Sequence, residues 1–321
     1  MKGDIIMCTG LRFNDSEGNL YFGRNLDVES TYGEKVIVTP RNYELPYKFL
    51  EDGKTTKAII GMGIMAGDYP MYFDCINENG LGIAGLNFPR YAHFTEGPVD
   101  GKTNMAPYEF MLWLMEEFDT VEEAKKGLAN LNLVDAPFAP QMPVAPLHWI
   151  ISDKKESVVV EQTKDGLKVY DNHVGVLTNN PDYPWHMTNL NNYAGLTPND
   201  ATTHDWNGQE IRPLGVGTGS LGLPGDSIPA SRFVKVAYLN ASYPTVDGEK
   251  ANVAKFFNIL KSVAMIDGSV INEQGKDEYT VYTGCFSTKT NTYYYNRFDD
   301  FEMKSVQFTE ENMNADKVTI Y

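Results

Sequence analysis

The chain has 321 residues, 42% hydrophobic and 22% charged, with 27 Lys and Arg against 43 Asp and Glu for a formal charge of -16. This is ordinary globular usage, far from a disordered composition, and the acidic excess argues against nonspecific binding to nucleic acid or an anionic membrane. No run approaches the roughly 20 apolar residues of a membrane span, and the opening "MKGDIIM" carries Asp4 and lacks the apolar core of a secretory signal, which leaves a cytoplasmic protein as the expectation.

The first third reads as antiparallel strands. Apolar and β-branched runs recur as "IIMCTGLRF", "LYFGRNL", "KVIVTP", "KAIIGMGIM", "MYFDCI" and "LGIAGLNF", separated by turn signals at Glu17-Gly18, Asp52-Gly53 and Asn79-Gly80. Asn79-Gly80, between two apolar runs, is the strongest hairpin signal of the three. From Pro107 the period changes: Phe110, Met111, Leu114, Met115 and Phe118 fall at helical spacing, and Val121, Ala124, Leu128 and Leu131 follow as a second amphipathic set.

Strands return at "LHWIISD", "SVVVEQT", "GLKVYD" and "VGVLT", and helices at Pro229 to Asn240 and Val253 to Ala264, the latter with Val253, Phe256, Phe257, Leu260, Val263 and Ala264 on one stripe. "YTVYTGCFS" and "TNTYYYNRF" then alternate as a half-buried hairpin. Strands, helices, strands, helices, strands is a layered α+β pattern without the strict alternation of a parallel doubly wound sheet. No linker divides the chain, so one large domain is expected.

Three segments invite a chemical reading. "GVGTGSLGLPGD" contains a formal G-x-G-x-x-G, but no strand leads into it and Pro224 and Gly225 follow, so it is read as a structural loop. The helix behind it, with Asp226 or Ser227 as cap and Pro229 near its first position, carries Arg232 at a fixed place. The five histidines, His93, His148, His173, His186 and His204, show no metal-ligand spacing and are read as satisfied core or surface residues.

Cys8, Cys75 and Cys285 are an odd, sparse set without C-x-x-C spacing, which favours reduced thiols over a disulfide framework. Cys75 and Cys285 sit in apolar strands and read as inert. Cys8 differs only in its position one residue behind Met7. Were it the first residue, its α-amine, with a pKa of about 7.7 to 8.0, would supply a base beside a thiol of about 8.5. Nucleophile and base would then share one residue. "YFGRNLD" brings Arg24 and Asp27 to within a hairpin of Cys8; on pattern alone the two read as an ordinary salt bridge.

"MCTGLRF", "YFGRNLDVE", "YGEKVIVTPRNY", "NENGLGIAGLNFP", "LHWIISD", "VGVLTNNP", "NLNNY", "GLPGDSIPASRFVKVAY" and the final "STKTNTYYY" occur in an order that resembles the choloylglycine hydrolase family of N-terminal nucleophile hydrolases, the bile salt hydrolases and penicillin V acylases. The resemblance covers nearly the whole chain. It implies a four-layer αββα sandwich with two antiparallel sheets, residues 1–7 as a removable segment and 8–321 as the single domain. It implies Cys8 as nucleophile with its freed amine as base, Asp27 holding that amine, Arg24 stabilising the charged sulfur, Asn87 and Asn179 at the oxyanion hole, and Arg232 completing the polar cluster.

Within the family, asparagine at position 87 marks the bile salt side, where penicillin V acylases tend to carry tyrosine, so conjugated bile salts are the expected substrates. Val28 after "NLD" and Trp185-His186 in "PDYPWHMTNL" depart from that pattern, which keeps a penicillin V acylase or another N-acyl amidase as the alternative. The loops around Met65 and around Phe138 and Met142 correspond to the family's pocket borders and give the expected substrate contacts. A homotetramer is implied, and no cofactor or metal. A silent ligand-binding member is the reading if residues 1–7 are never removed.

Overall fold

The structure, a computed structural model, describes residues 7–321, so of the expected removable segment only Met7 is described. Twelve of the strands used below belong to two large antiparallel sheets together with two short edge strands, at Val176–Leu177 and Thr319–Ile320.

The chain begins with β1 (Met7–Asn14), which pairs with β2 (Leu20–Val28) from Met7 opposite Asp27 to Asn14 opposite Leu20. The Asp15 carboxylate closes the intervening turn by accepting the Glu17 N–H at 2.9 Å and the Asn19 N–H at 2.8 Å, while Gly18 takes φ 83°. That turn fixes the register, and register matters because a slip of one residue would exchange the faces of both strands.

The next elements are β3 (Lys35–Thr39), β4 (Ile59–Ala66), β5 (Tyr69–Asn77) and β6 (Gly82–Asn87). The predicted Asn79-Gly80 turn joins β5 to β6: Asn77 Oδ1 accepts from the N–H groups of Asn79 and Leu81, and Gly80 sits at φ 91°. Then come α1 (Phe110–Glu117) and α2 (Val121–Leu128), followed by β7 (Leu147–Ser152), β8 (Ser157–Thr163), β9 (Gly166–Asp171) and β10 (Val176–Leu177). Helices α3 (Tyr183–Leu190), α4 (Pro229–Ser242) and α5 (Glu249–Lys261) precede β11 (Tyr279–Ser287), β12 (Thr292–Arg297), β13 (Asp300–Gln307) and β14 (Thr319–Ile320).

The first sheet runs β10-β1-β2-β11-β12-β13 and the second β9-β8-β7-β6-β5-β4-β3-β14. Helix α1 covers the second sheet, with Phe110 edge-on to Trp149 at 4.8 Å. Helix α5 covers the first, where Phe256 meets Phe13 at 6.1 Å and the Leu260 carbonyl accepts from Asn25 at 3.0 Å. The inner faces of the sheets pack closely: a Cβ at Gly10 would lie 3.2 Å from Ile150, and one at Gly82 only 2.7 Å from Phe22. The order is helix, sheet, sheet, helix, the expected αββα sandwich.

Four boundaries differ from expectation. The second helix stops at Leu128, and Leu131–Leu133 instead forms a short parallel strand with Thr103–Met105, so Leu131 is buried by pairing and not by helical period. The last long helix starts and ends a few residues early, at Glu249 and Lys261. Helix α3 was not anticipated, because Pro181 and Pro184 make its start look like a turn; proline fits the first helical turn, where its missing N–H is not needed. The cap of α4 is Ile228, with no side-chain cap bond; Asp226 braces the first turn from outside, accepting from Ile228 N–H at 3.1 Å and Ser231 Oγ at 2.9 Å. The glycine loop forms an exposed 3-10 turn at Thr218–Ser220, as a structural loop should.

Candidate active site

Strand alternation sets up the site. On β1, Thr9 and Phe13 face the helices while Cys8 and Gly10 face the second sheet. Cys8 lies opposite Leu26, so Arg24 shares its face and the Arg24 Nη2 donates to Cys8 Sγ. The rest of the guanidinium is tied to backbone: Nη1 donates to the carbonyls of Phe73 (3.2 Å) and Gly85, and Nε to that of Asn25 at 3.1 Å. A buried cation is thereby surrounded by acceptors on both sheets and directed at one sulfur.

Asp27, three residues on, faces the other way. The predicted Arg24–Asp27 salt bridge does not form, because residues an odd number apart on a strand point to opposite faces. Thr280 Oγ1 donates to Asp27 Oδ1 at 2.6 Å and itself accepts from the Met265 N–H at 2.8 Å. Asp27 Oδ2 is buried and has no hydrogen-bond partner among the described residues. Asp27 stands opposite Met7 in the pairing of β1 with β2.

Arg232, from the second turn of α4, reaches the same point from the helix side. Its Nη1 donates to the Cys8 carbonyl and Thr9 Oγ1, both at 2.6 Å, its Nη2 to Asn179 Oδ1 at 2.7 Å, and its Nε to the Ser227 carbonyl at 2.9 Å. Because guanidinium only donates, this fixes which end of the Asn179 amide is oxygen. Asn179 Oδ1 also accepts the Cys8 N–H at 3.0 Å, and Asn179 Nδ2 donates to the Asn87 carbonyl at 2.7 Å. Cys8, Arg24, Asp27, Asn87, Asn179 and Arg232, predicted from five separate stretches of sequence, thus form one buried cluster.

Electrostatics follow from that burial. The Cys8 thiol is pushed up by desolvation, opposed first by Arg24, raised further by Asp27, and lowered by the Asn87 backbone N–H and by Arg232. Burial also raises Asp27, against the pull of Arg232, Thr280 and Arg24. For Arg24 burial works against the charge, but Cys8, Tyr282, Asp74 and Asp27 outweigh it and leave the guanidinium above its ordinary value. While Met7 is attached, the Cys8 nitrogen is an amide without basicity. Cys75 and Cys285, buried in strands, are raised well above an ordinary thiol by burial and have no arginine opposing it.

Met65 and Phe138 lie on the wall of a cavity of about 1150 Å³ shared with Tyr43, Tyr69, Val318 and Ile320. None of the six clustered residues lines it. Phe138 also packs edge-on against Tyr108 at 5.2 Å. Met142 is not on that lining; it bridges to Ala139.

Several neighbours were not picked out from the sequence. Thr280 looked like one more alternating strand residue in "YTVYTG". Asp74, which receives the hydroxyls of Tyr282 and of Tyr293 (2.7 Å), supports the Arg24 charge from inside the sandwich. His148 and His186 satisfy the core reading given to them, since both are buried and hydrogen-bonded, but their partners are the carbonyls of Thr178 and Asn179.

A family model for linear amide C–N hydrolases of the choloylglycine hydrolase family matches residues 8–321. The chain is 65% identical to the conjugated bile acid hydrolase of Lactobacillus gasseri over 316 residues, which cover 98% of this chain and 100% of that protein. It is similar to a crystal structure of a variant of the conjugated bile acid hydrolase from Clostridium perfringens, with TM-score 0.91, 40% identity and 98% and 96% of the two chains covered. Penicillin V acylase from Agrobacterium tumefaciens shares the fold, with TM-score 0.76 at 17% identity and 98% and 90% covered.

Proposed function

The chain belongs to the choloylglycine hydrolase family, and we propose that it hydrolyses the amide bond of glycine- or taurine-conjugated bile acids, with Cys8 as N-terminal nucleophile. The observation that carries this reading is the convergence on one residue: the Cys8 sulfur receives Arg24, its N–H donates to Asn179, its carbonyl accepts from Arg232, and the buried Asp27 carboxylate is paired across the strands with the preceding Met7.

In the proposed reaction the bond between Met7 and Cys8 is cut first, turning an inert amide into an α-amine. Asp27 Oδ2 accepts from the ammonium form, and the neutral form takes the thiol proton as Arg24 stabilises the thiolate. The sulfur adds to the substrate carbonyl. The resulting oxyanion is received by Asn179 Nδ2, an amide with two hydrogens of which one goes to the Asn87 carbonyl, and by the Asn87 N–H. Each such donor lowers the barrier by about 2.7 to 4 kcal/mol. The α-ammonium then protonates the departing nitrogen, glycine or taurine leaves, and a thioester remains. Water, deprotonated by the same amine, releases the bile acid and restores the thiol.

The bile salt assignment is supported by Asn87 and by the 65% identical relative. It is tested by incubating protein of determined N-terminus with glycocholate, taurocholate and penicillin V. Release of glycine or taurine is expected; cleavage of penicillin V alone would move the enzyme to the acylase side. Met65, Phe138 and Met142 are proposed to border the steroid-binding loops, and Phe138→Ala is expected to raise KM for glycocholate more than it lowers kcat.

We also propose a homotetramer in the cytoplasm. Between α3 and α4 the chain exposes Trp206, Leu214, Val216 and Leu221, an apolar set that a second copy would cover. Three unpaired cysteines suit a reducing compartment. Light scattering behind size exclusion is expected to give four times the mass of the chain.

A further inference from the structure

His148 and Glu161 face each other across β7 and β8 with no exposed surface, His148 Nδ1 standing 3.0 Å from Glu161 Oε1. His148 Nε2 stands 3.0 Å from the carbonyl of Thr178, the residue after β10, and a carbonyl only accepts, so that nitrogen carries a hydrogen. Glu161 Oε1 also accepts the Tyr183 N–H at 3.0 Å, which ties the pair to α3. His186, on α3, stands with its Nε2 2.9 Å from the Asn179 carbonyl and donates there for the same reason. Two adjacent peptide carbonyls, those of Thr178 and Asn179, are therefore each held by an imidazole.

Both rings also stack on a phenylalanine that follows a site residue in sequence. His148 lies on Phe88, next to Asn87, at 4.2 Å and 7°; His186 lies on Phe233, next to Arg232, at 4.7 Å and 15°. Each imidazole thus joins the backbone at Thr178 and Asn179 to one segment that contacts Asn179, His148 to that of Asn87 and His186 to that of Arg232. Burial holds His186 down to about 4, partly offset by its bond to Asn179, so near pH 7 it is a neutral ring with one N–H to give.

We propose that His148, held by Glu161, and His186 are positioning residues for the oxyanion step: through the carbonyls of Thr178 and Asn179 they fix the Asn179 peptide, and with it the direction of the side-chain amide that meets the substrate oxygen. The proposal rests on the reading of Asn179 as an oxyanion donor. An error of about 1 Å in such a donor can lower a rate roughly 100-fold without altering what the pocket binds.

The test uses His186→Phe, which keeps the stack and removes the N–H, and the double variant His148→Phe with Glu161→Gln, which leaves no buried charge without its partner. Glycocholate turnover is measured beside alkylation of Cys8 by iodoacetamide, a displacement at saturated carbon that makes no oxyanion. The expected result is a kcat roughly 10- to 100-fold lower, KM within about twofold, an unchanged alkylation rate, and partial recovery in His186→Gln, which restores a donor. If the double variant does not fold, His186→Phe decides. A folded His186→Phe protein with wild-type kcat overturns the proposal, as does a parallel fall in turnover and alkylation, the mark of a structural role. Asn179→Ala separates the two claims: loss of kcat there with wild-type histidine variants rejects the brace alone, whereas full activity in Asn179→Ala rejects the oxyanion reading beneath it.

Discussion

Phe110 and Trp113 of α1 bury themselves against the outer face of the second sheet, alongside Trp149, Ile151 and Val160, through contacts that are apolar and without direction. At the end of β1, equally buried, Arg24, Asp27, Arg232, Asn87 and Asn179 are held by hydrogen bonds whose partners are each specific atoms. The first region is stable because area leaves water. The second carries charges that burial disfavours, kept in place because nearly every donor and acceptor is met. One region should therefore answer to volume and the other to atom identity.

The largest effect is expected from Cys8→Ala, which leaves the apolar layer intact and should lower amide hydrolysis by at least ~1,000-fold, measured as glycine released from glycocholate. Next is Arg24→Met. It removes the main influence opposing the burial of the thiol, so the pH at which iodoacetamide half-maximally alkylates Cys8 should move upward, and kcat/KM should fall about 100-fold.

Phe110→Ala sharpens the contrast from the other side. It should destabilise the fold by about 3 to 5 kcal/mol in urea titration while the folded fraction keeps its kcat. If kcat fell with it, the two regions would be coupled and the comparison broken.

The smallest effect concerns Glu278, a buried carboxyl near Asp27 and Arg232 that burial pushes up to about 7. Its unfolded value is close to 4.5. Between these values the folded state binds more protons than the unfolded, so its favourable contribution is complete below about 4.5 and is lost as pH rises through about 7. Glu278→Gln should therefore gain stability relative to wild type at pH 8 and not at pH 4, in thermal melts at both.

Much of this division is legible in the sequence. The apolar stripe of the first helix predicts its buried face, Asn79-Gly80 predicts its turn, and the ordered motifs predict the six residues of the cluster. Pairing partners were less legible. Arg24 and Asp27 sit three apart in sequence and suggest each other, yet strand geometry sends them to opposite faces and gives them Cys8 and Thr280 instead. His148 lies in "LHWIISD" but shows no metal-ligand spacing, and its role depends on a contact with the Thr178 carbonyl that no local spacing encodes. Helix α3 was hidden because proline marks a break in the middle of a helix but is tolerated at its start.

In the proposed reaction Cys8 acts with its own free α-amine. The most direct test is N-terminal determination on protein separated by activity toward glycocholate. Active molecules are predicted to begin at Cys8, and molecules retaining Met7 to be inactive until it is removed. Full turnover by a chain in which Cys8 is still joined to Met7 would rule out the α-amine as the base.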